Sequence, residues 1–239
     1  MQKTKRQILS TVILGKKLID EALLNDILID EISFINTKEI EDESVINNIS
    51  TYLQQKIIVV FTSMNAVTAV AKFSKQKPEW KIYCISSTTR KLVVKSFGKN
   101  SVAGTADSAQ QLAEVIVADK IKEVVFFCGD KRRDELPDKL KENNISVKEI
   151  IVYSTIKTPV SVKKYDGVLF FSPSDVDSYF SVNKLDEATQ LFAIGSTTAK
   201  AIQQYNKNNI IISPSPAKEN LVREMIANFT AIKKDQTVL

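Results

Sequence analysis

The most informative feature of this 239-residue chain is a residue type that it lacks: it contains no histidine. A Ser-His-Asp triad, a Cys-His pair and an ordinary zinc site are therefore excluded. Any catalysis would have to use hydroxyls, carboxylates, lysine, arginine, tyrosine and backbone dipoles. Glycine is also scarce, with six residues, and the usual glycine-rich phosphate loop is missing.

The chain also has few cysteines and no long apolar run. Cys84 and Cys128 lie in strand-like stretches without metal-ligand spacing, so we expect reduced, buried thiols and no metal site. Runs such as IIVVF and GVLFF are far shorter than the roughly 20 residues that cross a bilayer. The basic N-terminus closes its apolar run on two lysines and lacks a small-residue cleavage site. We therefore expect a cytoplasmic protein with no membrane partner.

The charge balance is mildly basic, with 33 Lys or Arg against 28 Asp or Glu and a net charge of +5. This excess is much weaker than the dense basic stripe of a nucleic-acid binder, so we expect no nucleic-acid partner. It favours anionic ligands. The hydrophobic content of 44% is enough for well-packed cores in one large or two ordinary domains.

Short β-branched or aromatic runs alternate with amphipathic stretches, which is typical of an α/β protein with parallel sheets. The predicted strands are 7–13, 27–35, 56–62, 81–86, 100–104, 123–128, 146–156, 166–172, 191–195 and 209–213. The predicted helices are 15–25, 45–55, 64–75, 87–97, 107–120, 132–143, 174–183, 197–206 and 217–230.

The middle of the chain matches its last third. Phe61 aligns with Phe171 at an offset of 110 residues, and YCISSTTRKLV aligns with FAIGSTTAKAI at an offset of 109. Repeated units at a fixed spacing predict two related α/β domains. The second copy lacks a first strand-helix-strand unit, and the N-terminus has a spare one.

Assigning the spare N-terminal unit to the second copy makes one domain discontinuous. We predict that residues 1–32 plus 156–239 form this domain and that 37–150 form the continuous one. The crossing segments, 33–36 and 151–155, read as β-strands and would form a small two-stranded linker.

Hydroxyl side chains gather where the predicted strands end and helices begin. One hydroxyl is enough to cap a helix, yet ISSTTR and IGSTT hold four and three in a row. Free N–H groups and the positive end of the helix dipole favour carboxylates or phosphates there. For any single Ser or Thr, capping alone is the alternative.

Two other features have open alternatives. Lys131 and Arg132 follow a strand, where they would either recruit carboxylates or form a solvated first helical turn. Tyr153 lies in the second crossing strand, where its phenol would either point into a cleft between the domains or pack within the ladder.

Together these stretches resemble the uroporphyrinogen-III synthase family. FTSMNAV, FFSPSDVDSYF, FFCGDKRRDELPDKL, VYST and AIGSTTAKAI carry the resemblance, which covers nearly the whole chain. The chain departs from the family after the first strand, where members often carry Thr-Arg-Pro and this chain has STVILGKK. The resemblance implies two flavodoxin-like parallel-sheet domains joined by a two-stranded β linker, with the active site in the interdomain cleft.

The resemblance also implies a function. Members are cofactor-free lyases that cyclise hydroxymethylbilane, a linear tetrapyrrole with eight carboxylates, to uroporphyrinogen III in haem biosynthesis, with loss of water and inversion of ring D. By this resemblance Tyr153 would assist departure of the hydroxyl. The residues expected to bind the substrate are Thr62, Ser63, Ser87, Thr88, Thr89, Lys131, Arg132, Ser172, Ser174, Ser196, Thr197 and Thr198. We expect a monomer whose partner is this small molecule.

Two rival functions fit part of the sequence. A non-catalytic two-domain protein could close on a small anionic ligand, but such receptors are normally exported, and no signal-peptide pattern is visible. A flavodoxin-like FMN domain is a weaker rival, because the STT sites are duplicated and both copies would need flavin.

Overall fold

The computed structural model describes residues 5–86 and 88–235, in which strands and helices alternate. The strands are β1 Arg6–Ser10, β2 Ile27–Glu31, β3 Ile35–Glu39, β4 Ile58–Phe61, β5 Lys81–Ile85, β6 Val102–Ala106, β7 Glu123–Gly129, β8 Ser146–Lys157, β9 Gly167–Phe170, β10 Gln190–Ala193 and β11 Ile210–Ile212. The helices are α1 Lys16–Leu23, α2 Glu43–Leu53, α3 Met64–Ala71, α4 Thr88–Phe97, α5 Ala109–Ala118, α6 Glu135–Glu142, α7 Pro173–Phe180, α8 Ser196–Gln203 and α9 Lys218–Asp235. Within these ranges no helix is both long and apolar enough to cross a membrane.

The chain divides into two compact units. The first unit combines the chain up to Asn36 with the chain from Ile156 onward, and the second runs from Thr37 to Thr155. The first unit is therefore discontinuous in sequence. Strands β3 and β8 each contain one of the two boundaries between the units.

The sheet of the first unit has the strand order β11-β10-β9-β1-β2. Its neighbouring strands pair in parallel, and Ile8 of β1 lies opposite Gly167 of β9. The N-terminal strand-helix-strand unit thus completes a sheet whose other three strands come from the last third of the chain.

The second sheet has the order β3-β8-β7-β4-β5-β6, and the five strands from β8 to β6 run parallel. Strands β6, β5, β4, β7 and β8 occupy the positions that β11, β10, β9, β1 and β2 hold in the first sheet. The two sheets are thus related by a circular permutation of the chain. The predicted α/β class with parallel sheets is confirmed.

Each sheet buries both of its faces. In β4, Phe61 joins one hydrophobic cluster and Val60 joins another, while Ile8 and Leu9 of β1 divide in the same way. Successive residues of a strand point to opposite faces, so a strand covered on both sides needs a continuous apolar run. This requirement explains why these strands lack a polar alternation.

Both cysteines are buried and free, Cys84 in β5 and Cys128 in β7. Burial raises the pKa of each thiol to about 11. The thiols therefore remain protonated near neutral pH, and thiols in this state are poor nucleophiles.

The segment predicted as one strand over 27–35 is divided in the structure. Strand β2 ends at Glu31 and β3 begins at Ile35. Between them Phe34 is fully buried in the core of the first unit, with its ring 5.3 Å from that of Tyr179. Burying Phe34 turns the chain out of the first ladder before it joins the second sheet, so the single-strand prediction is wrong.

Candidate active site

Tyr153 of β8 makes a hydrogen bond at the carboxyl end of the second sheet. Its hydroxyl donates to Oγ of Ser63 at 3.1 Å. Ser63 follows β4 and is the N-cap of α3, where the same oxygen accepts from the backbone N–H of Asn65 at 3.1 Å. Two predicted site residues, 90 positions apart, are thus in contact.

An irregularity in the register between β7 and β8 directs the Tyr153 side chain toward Ser63. Cys128 of β7 lies opposite Ile151, yet the next residue, Gly129, lies opposite Tyr153, so Val152 is an extra residue on β8. Val152 belongs to the hydrophobic cluster against which Tyr153 also packs. In a regular strand these two successive side chains would point to opposite faces. The extra residue changes that alternation, so Val152 and Tyr153 pack against the same cluster and the Tyr153 ring lies over the end of β7.

Asp130 fixes the backbone of β8 at Tyr153 and at Thr155. Its N–H donates to the carbonyl of Tyr153 at 3.1 Å, and its Oδ1 accepts from the N–H of Thr155 at 2.7 Å. Burial raises the pKa of the Tyr153 phenol above its ordinary value, the hydrogen bond with Ser63 opposes this, and the charge of Asp130 adds to the rise. The phenol is thus a proton-bearing donor at neutral pH.

The other predicted hydroxyls of the second unit follow β4 and β5. Thr62 is half-buried beside Ser63. Thr88 and Thr89 open α4, with Thr88 exposed and Thr89 buried. Ser87 lies outside the described residues.

The first unit holds a buried carboxylate at the corresponding end of its sheet. Asp175 is fully buried on α7 and accepts from the N–H groups of Phe171 and Ser172 and from Oγ1 of Thr11 at 3.0 to 3.1 Å. The Ser172 hydroxyl accepts in turn from the N–H of Asp175, which completes a capping box. Burial raises the pKa of Asp175 to about 7, although these donors oppose the shift. Ser174 lies half-buried in the same first turn.

The N-terminus of α8 differs from that of α7, because it has no side-chain cap. Gly195 is its N-cap and makes no side-chain capping bond, and a Cβ there would meet nothing within 4 Å. Ser196 and Thr197 are exposed on the first turn. Thr198 is fully buried, and its Oγ1 has no hydrogen-bond partner. The N-terminus of α8 therefore presents exposed hydroxyls and has no side-chain cap.

The two predicted cations lie in different surroundings. Arg132 is about three-quarters buried and forms ion pairs with Asp134 and Glu149, while Glu149 also pairs with Lys141 at 3.2 Å. Lys131 is exposed. Because two carboxylates already neutralise Arg132, Lys131 is the better placed of the two to meet an anion. Within residues 5–86 and 88–235, no cluster of acidic or sulfur ligands is arranged to hold a metal ion.

A family model described as uroporphyrinogen-III synthase HemD matches residues 27–223. The chain belongs to this family. It is 26% identical to the uroporphyrinogen-III synthase of Saccharomyces cerevisiae, in a match that covers 78% of this chain and 82% of the relative.

Two solved structures share the fold of this family member. A uroporphyrinogen-III synthetase of Helicobacter pylori matches with a TM-score of 0.64 at 16% identity, over 93% of this chain and 99% of the other. A mutant uroporphyrinogen III synthase of Thermus thermophilus matches with a TM-score of 0.61 at 13% identity, over 96% and 99%.

Two residues that organise these sites, Asp175 and Gly129, were not predicted from the sequence. Asp175 follows Ser172 by three positions, and this capping-box spacing was a usable signal. The close approach of Gly129 to Tyr153 depends on a register irregularity, for which the sequence offers no equivalent pattern.

Proposed function

We propose that this family member cyclises hydroxymethylbilane to uroporphyrinogen III. The terminal hydroxyl leaves as water, ring D is inverted, and the ring that closes loses a proton, so one substrate gives one product and one water. The hydrogen bond from Tyr153 to Ser63, at the carboxyl end of a parallel sheet in a chain of this family, carries the proposal.

Tyr153 is proposed to donate a hydrogen bond or proton to the departing hydroxyl. Its phenol is protonated at neutral pH, and Ser63 holds it at the end of the sheet where ligands of open α/β sheets bind. The substrate is itself reactive, so positioning supplies a large part of the rate advantage. The phenol then assists departure of the hydroxyl, and the reaction can still proceed, more slowly, without it.

The hydroxyl-rich helix starts of both units are proposed to bind substrate carboxylates. Helix N-termini offer free N–H donors and a partial positive charge. The start of α8 supports this role best, because Gly195 leaves its first turn without a side-chain cap and the hydroxyls of Ser196 and Thr197 are exposed on that turn. At α3 and α7, Ser63 and Ser172 already cap their helices, so they share their hydroxyls between capping and substrate.

We also propose that both units are flavodoxin-like domains. In chain order the first sheet reads 2-1-3-4-5, which is the flavodoxin-like order, and the second is its circular permutation. We propose that residues 1–32 plus 156–239 form one domain and 37–150 the other, with linker strands 33–36 and 151–155. The proposal includes a monomeric, cytoplasmic enzyme that uses no cofactor, nucleic acid or membrane.

The test is to add the purified chain to freshly made hydroxymethylbilane and to separate the type I and type III isomers. We expect type III product at a rate proportional to enzyme concentration. A non-catalytic binding protein would leave only type I product, formed at the spontaneous rate, and that result would refute the proposal.

A further inference from the structure

The last residue of β7 lies where the Tyr153 side chain crosses the sheet. Strand β7 lies between β8, which carries Tyr153, and β4, which Ser63 follows. The phenol reaches Ser63 at 3.1 Å, so its ring must pass over the strand between them. Gly129 is the register partner of Tyr153 at that crossing.

A side chain at position 129 would occupy the place of the phenol. A Cβ on Gly129 would lie 2.4 Å from Cζ, 2.6 Å from Cε2 and 2.7 Å from the hydroxyl oxygen of Tyr153. Non-bonded heavy atoms do not pack this closely. Gly129 does not have a positive φ, so its backbone does not itself require glycine. The constraint at this position is space for the tyrosine ring.

We infer that Gly129 is a positioning residue for the reaction, because it leaves the gap that lets Tyr153 reach Ser63. The inference rests on the proposed function, since its effect on the rate acts through the Tyr153 hydroxyl. Asp130 supports the same arrangement, because its backbone and side chain hold β8 at Tyr153 and Thr155.

The structural arm of the test uses Gly129→Ala labelled with 3-fluorotyrosine. The chain has six tyrosines, and the fluorine resonance of Tyr153 is identified by its loss in Tyr153→Phe. We expect Gly129→Ala to shift that resonance and to leave the other five in place. An unshifted Tyr153 resonance would overturn the inference.

The kinetic arm compares Gly129→Ala with a matched glycine. In Gly104→Ala the added Cβ would lie 2.6 Å from Cδ1 of Tyr83, which is the same kind of clash at a different tyrosine. We expect Gly129→Ala to lower kcat by about 10- to 100-fold, as for loss of one acid-base group, with little change in KM. Gly104→Ala is expected to lose stability and to keep its kcat.

A double variant separates positioning from general damage. In a Tyr153→Ala background, Gly129→Ala is expected to change kcat by less than about twofold, because the affected group is already gone. An equal loss of kcat in both backgrounds would contradict the inference. If Gly129→Ala alone does not fold, Gly129→Ala with Tyr153→Ala is expected to recover the folding yield of Tyr153→Ala, and no recovery would contradict it.

These arms distinguish the inference from the proposed function. If the wild-type chain forms no type III isomer, or if Tyr153→Phe retains full activity, the proposed function or the role of Tyr153 fails. The fluorine shift in Gly129→Ala would still show that Gly129 positions the ring. The opposite case is also possible to recognise. If the wild type is active and Tyr153→Phe is slow, but Gly129→Ala is fully active, the inference about Gly129 is overturned and the proposed function stands.

Discussion

The ring and the hydroxyl of Tyr153 have different roles: the ring packs, and the hydroxyl is the group proposed to act in the reaction. The ring packs against the core of the second unit, and only the hydroxyl reaches Ser63. Tyr153→Phe keeps the ring and removes the donor. We therefore expect it to retain the fold and to lower kcat for uroporphyrinogen III by about 10- to 100-fold, in or just below the usual range for one acid-base group.

The measurement is steady-state formation of the type III isomer, with thermal unfolding as the control for folding. Tyr205→Phe is a matched variant, because the Tyr205 hydroxyl bonds Asp177 on the surface of the first unit. It is expected to keep the wild-type rate. An unchanged rate in Tyr153→Phe would leave Tyr153 as a packing residue.

Asp175 links protonation to the stability of the first unit. Its pKa is raised by burial from 3.8 to about 7 in the folded state, so folding favours the protonated form between these values. Its contribution is fully present below about pH 4 and is lost as the pH rises toward 7. We expect Asp175→Asn to remove this dependence and to change the slope of the unfolding free energy by up to about 1.4 kcal/mol per pH unit.

Urea unfolding at several pH values between 4 and 7 measures this slope. Parallel profiles for wild type and Asp175→Asn would contradict the raised pKa. The variant is also expected to be less stable throughout, because its NH2 group cannot accept the hydrogen bond that a carboxyl oxygen accepts in the same place.

At the scale of elements, the start of α3 serves both the helix and the proposed reaction. The Ser63 hydroxyl caps α3 and accepts from Tyr153, whereas the Ser108 hydroxyl only caps α5, through the N–H of Gln111 at 3.2 Å. Ser63→Ala and Ser108→Ala are each expected to lower the free energy of unfolding by about 1 kcal/mol. Ser63→Ala alone should also lower kcat, by about fivefold, for the lost hydrogen bond.

Comparing the two variants in the same kinetic and unfolding assays separates the roles. Equal kcat in Ser63→Ala and Ser108→Ala would show that the bond to Ser63 does not position the phenol for reaction.

Elements were more predictable than the contacts made at their ends. Alternating apolar runs and amphipathic stretches were enough for the α/β class, because a strand buried on both faces must be apolar throughout. The break at Phe34 and the extra Val152 depend on long-range packing, to which local patterns are blind. The same limit hid the crossing of Tyr153 over Gly129, which depends on the register between β7 and β8.

For the whole molecule, the net charge of +5 and the proposed substrate with eight carboxylates predict a salt-dependent affinity. Exposed groups such as Lys131 attract such a ligand through water, where salt screens them over about 10 Å at 0.1 M ionic strength. Hydrogen bonds from buried groups to a bound substrate are screened much less. We therefore expect KM to rise several-fold between about 0.05 and 0.5 M NaCl, while kcat changes by less than about twofold.

Initial rates at saturating and limiting hydroxymethylbilane give both constants, and the spontaneous reaction at each salt concentration is the blank. Lys131→Gln is expected to raise KM at low salt and to flatten its salt dependence, because one attractive charge is removed. Arg132→Gln should leave the salt dependence near wild type, because Arg132 is already paired with Asp134 and Glu149. A KM that does not respond to salt would argue against carboxylate recognition by exposed charge and would assign substrate binding to hydroxyls and backbone amides.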